Sequence, residues 1–132
     1  MVWGFPAWKG TRPIINARSE TAAEKKTFQA DLEKRRCVIP STGYFEWNKE
    51  KEKFIFRRPD SAAVYLAGIW NDYGGEQRFC ILTRAAEQSI AGIHDRMPVI
   101  LKPNELDLWI YDRAAAELLM RRDPPTLEYE TA

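Results

Sequence analysis

The sequence is poor in the residues that build cross-linked or metal-bound frameworks. It has two cysteines, Cys37 and Cys80, in 132 residues, which is too few for a disulfide framework. His94 is the only histidine, and the cysteines show no CxxC spacing, so the ligand set of a structural zinc site is missing. We therefore expect a protein that uses no metal and no cofactor.

A long apolar run and an excess of charge of either sign are also lacking. No stretch approaches the ~20 apolar residues that cross a bilayer. The opening MVWGFPAWKG has no charged region followed by an apolar one, so it does not resemble a signal peptide. We expect a cytoplasmic protein with no membrane partner. Its 20 basic and 19 acidic residues leave a net charge of +1, so any nucleic-acid site has to be a local patch.

Apolar side chains are what the sequence has in quantity. Hydrophobic residues make up 45% of the chain and five residues are tryptophans, which excludes a disordered chain. The length predicts one domain over residues 1–132, with enough residues to bury a core.

The order of the apolar runs predicts an α+β fold. Residues 21–35 combine a capping-box pair with a narrow apolar stripe, which predicts a helix. The short runs from CVIP to RFCILTR, broken by Pro, Gly and charged linkers, predict a barrel-like body of antiparallel strands. A short helix is expected in residues 85–93 and a strand in residues 97–101. Two further helical runs follow from residue 103, before an extended tail from residue 123.

Two segments hold candidate acid–base groups. In the run GYFEW, a strand would place Tyr44 and Glu46 on one face, with aromatic residues flanking the carboxylate. Burial there would favour the neutral carboxyl and a role in proton transfer; a solvent-facing glutamate is the alternative. His94, in GIHDRMPVIL, suits general acid–base work, and its alternative is a turn histidine bonded to the backbone.

Other polar and aromatic residues suggest a ligand surface. Asn16 offers a donor and an acceptor to a reacting group, and Arg18, on the same strand face, suits phosphate binding. A turn residue and a solvated charge are the respective alternatives. Aromatic platforms beside arginines are typical of single-stranded nucleic-acid sites, although the tryptophans would also suit a core. The residues that make up this pattern are Trp3, Trp8, Trp47, Arg12, Arg18 and Arg96.

The order of these segments carries more information than any one of them. WGFPAW, INARSET, RRCVIPSTGYFEW, AGIW, FCILT and IHDRMPVIL resemble, block by block, the SRAP family of SOS-response-associated peptidases, whose members act as abasic-site sensors. The resemblance extends from Trp3 to about Trp109. It implies a strand-rich α+β fold and recognition of abasic sites in single-stranded DNA during DNA repair. Family members form a thiazolidine DNA–protein crosslink through a cysteine at position two, which autocatalytic removal of the initiator methionine exposes.

The resemblance also assigns catalytic roles. Asn16 matches the asparagine that positions the reacting groups. Glu46 matches the glutamate that acts as a base for the amine and is a candidate for the methionine-removal step. His94 matches the histidine expected to assist sugar ring opening and proton transfer.

The same resemblance implies four DNA-binding residues. Arg18 and Arg96 match family arginines near the DNA backbone, and Trp8 and Trp47 match aromatic residues that line the DNA groove.

The sequence departs from the family pattern at its start. It begins Met1-Val2, where the family has some tens of residues more, including the cysteine. Val2 would offer an amine but no thiol, and neither Cys37 nor Cys80 has a free α-amine beside its thiol. We therefore expect an N-terminally truncated fold, a second chain that supplies the missing segment, or a non-catalytic module that binds single-stranded DNA or another partner. A peptidase acting on other proteins has no support, because no Ser-His-Asp signature or metal site is present.

Overall fold

The computed structural model describes residues 1–132 as two β-sheets with three α-helices. The larger sheet has seven strands: β1 (Val2–Trp3), β2 (Asn16–Arg18), β3 (Arg36–Ser41), β6 (Val64–Tyr73), β7 (Glu76–Ala85), β8 (Arg96–Pro98) and β9 (Ile100–Leu101). The smaller sheet has three strands: β4 (Tyr44–Trp47), β5 (Lys53–Arg57) and β10 (Glu128–Thr131). The helices are α1 (Gln29–Lys34), α2 (Leu106–Tyr111) and α3 (Arg113–Arg121), and a 3-10 turn at Pro103–Glu105 leads into α2.

The long hairpin of β6 and β7 is the centre of the larger sheet. Its two-residue turn is Gly74–Gly75, both with positive φ, the backbone conformation that a tight hairpin needs and that glycine adopts without strain. The outer edge of β6 pairs antiparallel with β3. On the edge that faces β7, the first residues of β6 pair antiparallel with β9. β7 pairs antiparallel with β8 and parallel with β1 and β2. The N-terminal segment is therefore held along the outer edge of β7.

Two apolar clusters lie on opposite faces of this sheet. One lies under the helices and includes Trp109, Leu32 and Phe5, all essentially inaccessible. The other joins the two sheets and includes Phe56 of β5 and Ile81 of β7. The second cluster matters for function, because it fixes the small sheet against the large one.

A buried arginine ties α1 to α2. Arg36 is 8% exposed, and its guanidinium donates to the carbonyls of Leu32 and Glu33 in α1 and of Trp109 and Ile110 in α2. The last carbonyls of a helix lack intrahelical partners and carry the negative end of the helix dipole. One cation therefore caps two short helices at once.

The α+β, strand-rich fold agrees with the sequence expectation, with three differences. The larger sheet is mixed and only the smaller one is antiparallel throughout, and neither sheet closes on itself, so the body is not a closed barrel. Within residues 21–35 only Gln29–Lys34 is helical, and successive turns precede it. Residues 88–93 form turns instead of the expected helix.

Tertiary packing explains the short first helix. Ala22 and Phe28 are both buried, and the turns between them bring both side chains into the helix-side cluster, which a straight helix from Thr21 would not do. Packing of this kind outweighs local helix signals. The helices predicted from residue 103 onward are present, and the expected extended tail forms β10 beside β5. None of the helices is long and apolar enough to span a membrane.

Candidate active site

Glu46 and His94 face each other between the two sheets. Glu46 alternates with exposed Phe45 and Trp47 along β4, and it points with Tyr44 toward the inter-sheet cluster. Its Oε1 lies 3.6 Å from Nε2 of His94, and the two side chains are 30% and 36% exposed. The pair is therefore partly sheltered but open to a ligand. The contact joins the motifs GYFEW and HDRMP, whose residues sequence reasoning had singled out separately.

Backbone bonds in a loop hold His94 in place. The amides of Ile93 and His94 donate to the carbonyl of Ile90, and the amide of Ala86 donates to the carbonyl of Asp95. Ile90 is buried in the inter-sheet cluster, so the loop is anchored at its middle as well as at its ends. The second ring nitrogen, Nδ1, lies 3.2 Å from both the main-chain N and the main-chain O of Arg96.

The side chain of Arg96 is held by an ion pair. Its Nη1 and Nη2 donate to the two carboxylate oxygens of Glu20 at 2.6 and 2.8 Å, and Nη2 also donates to Thr83 Oγ1 at 3.1 Å. These hydrogen bonds from Arg96 lower the pKa of Glu20 to about 2, against a partial opposing effect of burial. Sequence reasoning missed Glu20, whose only signal was its position in INARSET. It expected Arg96 near the DNA backbone, and in this structure the Arg96 guanidinium is occupied by Glu20.

Strand register decides where Asn16 and Arg18 point. Asn16 is paired with Ile81 and Arg18 with Thr83, and paired residues share a face of the sheet. Because Ile81 belongs to the inter-sheet cluster, both side chains lie on the face of the large sheet that meets the small sheet. Arg18 is exposed and makes no side-chain hydrogen bond or ion pair. Asn16 makes no hydrogen bond to Glu46 or His94.

The two tryptophans expected to line a DNA groove are both exposed, but they lie on different surfaces. Trp8 is 68% exposed, and its Nε1 donates to Thr27. Trp47 is 48% exposed and lies beside Phe45, with Lys53 Nζ 4.1 Å from the Phe45 ring centre. Trp47 is on the outer face of the small sheet, opposite to the face that carries Glu46.

The two cysteines are poor nucleophiles. Cys80 is buried and Cys37 half-buried, and neither forms a disulfide. Burial raises the pKa of both thiols to about 12, so almost no thiolate forms near neutral pH. No group of three or more His, Cys, Asp and Glu side chains is arranged to hold a metal ion.

Comparison with known proteins finds relatives of similar sequence. The abasic site processing protein YedK of Escherichia coli K12 is 37% identical over 116 residues, which cover 82% of this chain and 52% of YedK. The abasic site processing protein YoaM of Bacillus subtilis is 33% identical over 122 residues, covering 82% of this chain and 54% of YoaM. The chain thus spans about half the length of the curated relatives it matches.

A solved structure shares the fold. The crystal structure of a protein from Bacteroides thetaiotaomicron matches with a TM-score of 0.79 and 30% identity, covering 88% of this chain and 57% of that one. A sequence profile of the family described as SOS response associated peptidase (SRAP) matches residues 1–130. The chain belongs to the SRAP family.

Proposed function

We propose that this protein recognises abasic sites in single-stranded DNA and supplies the acid–base groups for reaction with the open-chain sugar aldehyde. The observation that carries the proposal is the 3.6 Å approach of Glu46 Oε1 to His94 Nε2 in a partly open position between the sheets. The proposal is supported by relatives named as abasic site processing proteins. It is also supported by the family resemblance, which gives both residues proton-transfer roles.

The chemistry needs two opposite proton transfers. An amine must lose its proton before it attacks the aldehyde carbon, and the hydroxyl that this attack leaves must gain a proton before water departs and the C=N bond forms. A carboxylate is suited to the first transfer and a protonated imidazole to the second. Glu46 and His94 lie close enough to act on the same carbon, one as base and the other as acid.

We further propose that the thiol for a stable crosslink comes from outside residues 1–132, in a further segment or a second chain. Cys37 and Cys80 are unsuited because burial keeps both thiols protonated, and neither has a free α-amine for ring closure. With residues 1–132 alone, the chemistry then stops at a reversible imine formed by an available amine.

DNA binding is proposed to run along the face that carries Asn16 and Arg18. The free, exposed guanidinium of Arg18 is suited to a backbone phosphate. An abasic nucleotide in a single strand is already unstacked, so little energy is lost in bringing it to the site. Trp8 lies beside Phe28 of the helix-side cluster and so off this face, and we propose it as a stacking platform where the strand passes the edge of the large sheet. The setting is repair of DNA damage in the cytoplasm.

A denaturing gel tests the proposal. The protein is incubated with single-stranded DNA that carries one abasic site, with and without borohydride, beside the same DNA without the site. We expect a shifted band only when borohydride traps the imine, and a weaker band for Glu46→Gln and His94→Ala. Bands as strong as the wild-type band for both variants would contradict the acid–base role. The absence of a band in every lane would show that the protein does not react with the abasic site.

A second candidate is non-catalytic binding of single-stranded DNA. The observation that favours it is the exposed aromatic pair Phe45 and Trp47, with Lys53 beside both rings, because stacking and cationic groups together suit a flexible strand. Affinity without any trapped adduct, lost in Trp47→Ala, would support this candidate over the first.

A further inference from the structure

The environment of His94 favours one tautomer of its ring. A neutral imidazole carries its proton on one nitrogen only. Nε2 faces the Glu46 carboxylate at 3.6 Å, so a proton on Nε2 is attracted to the carboxylate, whereas a lone pair there would be repelled by it. Nδ1 can then accept from the main-chain N–H of Arg96 at 3.2 Å. Two acceptors near Nδ1 favour the opposite form: the Arg96 carbonyl oxygen at 3.2 Å and Oδ1 of Asp95 at 3.7 Å. The Asp95 side chain is 91% exposed and that of Glu46 only 30%, so solvent screens Asp95 more and the balance favours the proton on Nε2.

The main chain of Arg96 also offers a hydrogen-bond acceptor to the protonated His94 ring. The carbonyl oxygen of Arg96 also lies 3.2 Å from Nδ1. When Nδ1 gains a proton, it can donate to this oxygen, while Nε2–H still faces Glu46. The same residue therefore offers a donor to the neutral ring and an acceptor to the charged ring, so His94 can take up or release a proton at Nδ1 without losing a partner.

This arrangement depends on the position of the Arg96 main chain, which lies at the end of a short strand. Arg96 is the first residue of β8, a strand of three residues, and it follows a bend at Asp95. The side chain of Arg96 compensates, because its two terminal nitrogens bind both oxygens of Glu20 and one also binds Thr83. A bidentate pair of this kind fixes direction as well as distance.

We propose that Glu20 is a positioning residue for His94. Its ion pair with Arg96 holds the main chain of residue 96 where Nδ1 contacts it, and so keeps the His94 ring in the Nε2–H form that faces Glu46. The proposal concerns the geometry of the free protein. Only its consequence for catalysis rests on the function proposed above.

The single histidine makes the test direct, since every imidazole signal of the protein belongs to His94. Protein labelled with ¹⁵N-histidine is measured by long-range ¹H–¹⁵N NMR in mildly alkaline buffer, beside free histidine as reference. We expect a larger fraction of the wild-type ring than of free histidine to carry its proton on Nε2. In Glu20→Gln the ratio of the two tautomers should move toward that of free histidine, and in Glu20→Asp it should lie between.

Glu24→Gln is the matched control, because Glu24 lies in the same turn segment and forms no ion pair. It should leave the wild-type ratio unchanged. A wild-type ratio in folded Glu20→Gln would overturn the proposal. If Glu20→Gln does not fold, Arg96→Lys is measured instead, because lysine keeps the charge but cannot form the bidentate pair with Glu20. A wild-type tautomer ratio in folded Arg96→Lys would also overturn the proposal.

A kinetic arm separates this inference from the proposed function. With abasic single-stranded DNA, Glu20→Gln should slow the formation of the borohydride-trapped adduct several-fold while the dissociation constant for the DNA stays within about twofold. A loss of affinity with an unchanged rate at saturation would assign Glu20 to binding and refute positioning. If no variant forms an adduct, the function fails and the NMR result still stands.

Discussion

Replacing Arg36 by methionine removes one cation from the ends of two helices. The guanidinium donates at 2.6 and 2.7 Å to Trp109 and Leu32, and at 2.9 and 3.2 Å to Glu33 and Ile110. Methionine fills most of the same space but donates no hydrogen bond, so four carbonyls at the helix ends lose their partner together. The expected result is a large loss of stability with the strands still able to form.

The size of the loss follows from how these bonds are shared. One hydrogen bond from a charged donor contributes about 1.5–3 kcal/mol, but four bonds from one guanidinium do not add. Breaking a buried charged network by removing one partner costs about 3–5 kcal/mol, and we expect Arg36→Met to fall in that range. Because a whole domain is stable by about 5–15 kcal/mol, the variant should unfold at a clearly lower urea concentration.

Urea unfolding followed by circular dichroism measures the effect, with Arg121→Met as the matched control. Arg121 is 76% exposed and paired only with Glu117 on its own helix, so its loss should cost no more than about 0.5 kcal/mol. Arg36→Lys should lose roughly half as much as Arg36→Met, since one ammonium cannot reach both helix ends. A loss below about 1 kcal/mol in Arg36→Met would refute the view that this cation holds α1 and α2 together.

Three further predictions follow. A Cβ at Gly68 would lie 2.4 Å from Ile39 Cδ1 and 3.0 Å from the Cys80 carbonyl oxygen, so Gly68→Ala should lower stability by about 1–3 kcal/mol. Gly92→Ala, where nothing lies within 4 Å, should be close to neutral in the same urea titration. Glu46→Gln should unfold at the wild-type temperature yet form little trapped adduct; a collapse of the melting temperature would make Glu46 a structural residue. The pKa of Glu20 falls from 4.5 to about 2 on folding, so its ion pair stabilises fully above about pH 4.5 and is lost as the pH falls through about 2. The stability difference between wild type and Glu20→Gln, measured against pH, should shrink over that window; a difference that is constant down to pH 2 would contradict the pairing.

The sequence predicted the strands better than the turns. Alternation in GYFEW gave the correct faces for Tyr44 and Glu46, because a half-buried strand leaves that pattern in its own residues. Residues 21–28 and 88–93 have helix-like composition, but contacts far along the chain decide their conformation. Ala22 and Ile90 are buried by partners that no local window contains.

The residues of the candidate site also differ in how far the sequence indicated them. His94 and Glu46 drew attention by their residue type and their resemblance to family motifs, but their contact depends on how the two sheets pack. Glu20 looked like any other solvated acid in a charged segment. Only the pairing of β8 and β2 with opposite edges of β7 brings it to Arg96, and strand order is not readable from a single strand's pattern.

The packing of the two sheets has a consequence for how activity fails. Glu46 lies on a strand of the small sheet, whereas His94 is held in place by Ile90 and Met97, which belong to the layer of apolar side chains between the sheets. The distance between Glu46 Oε1 and His94 Nε2 therefore depends on the thickness of that layer. Conservative changes in the layer, such as Ile81→Val or Phe56→Leu, should change this distance by a fraction of an ångström without unfolding the chain. On warming, adduct formation should accordingly decline at a lower temperature than the circular dichroism signal.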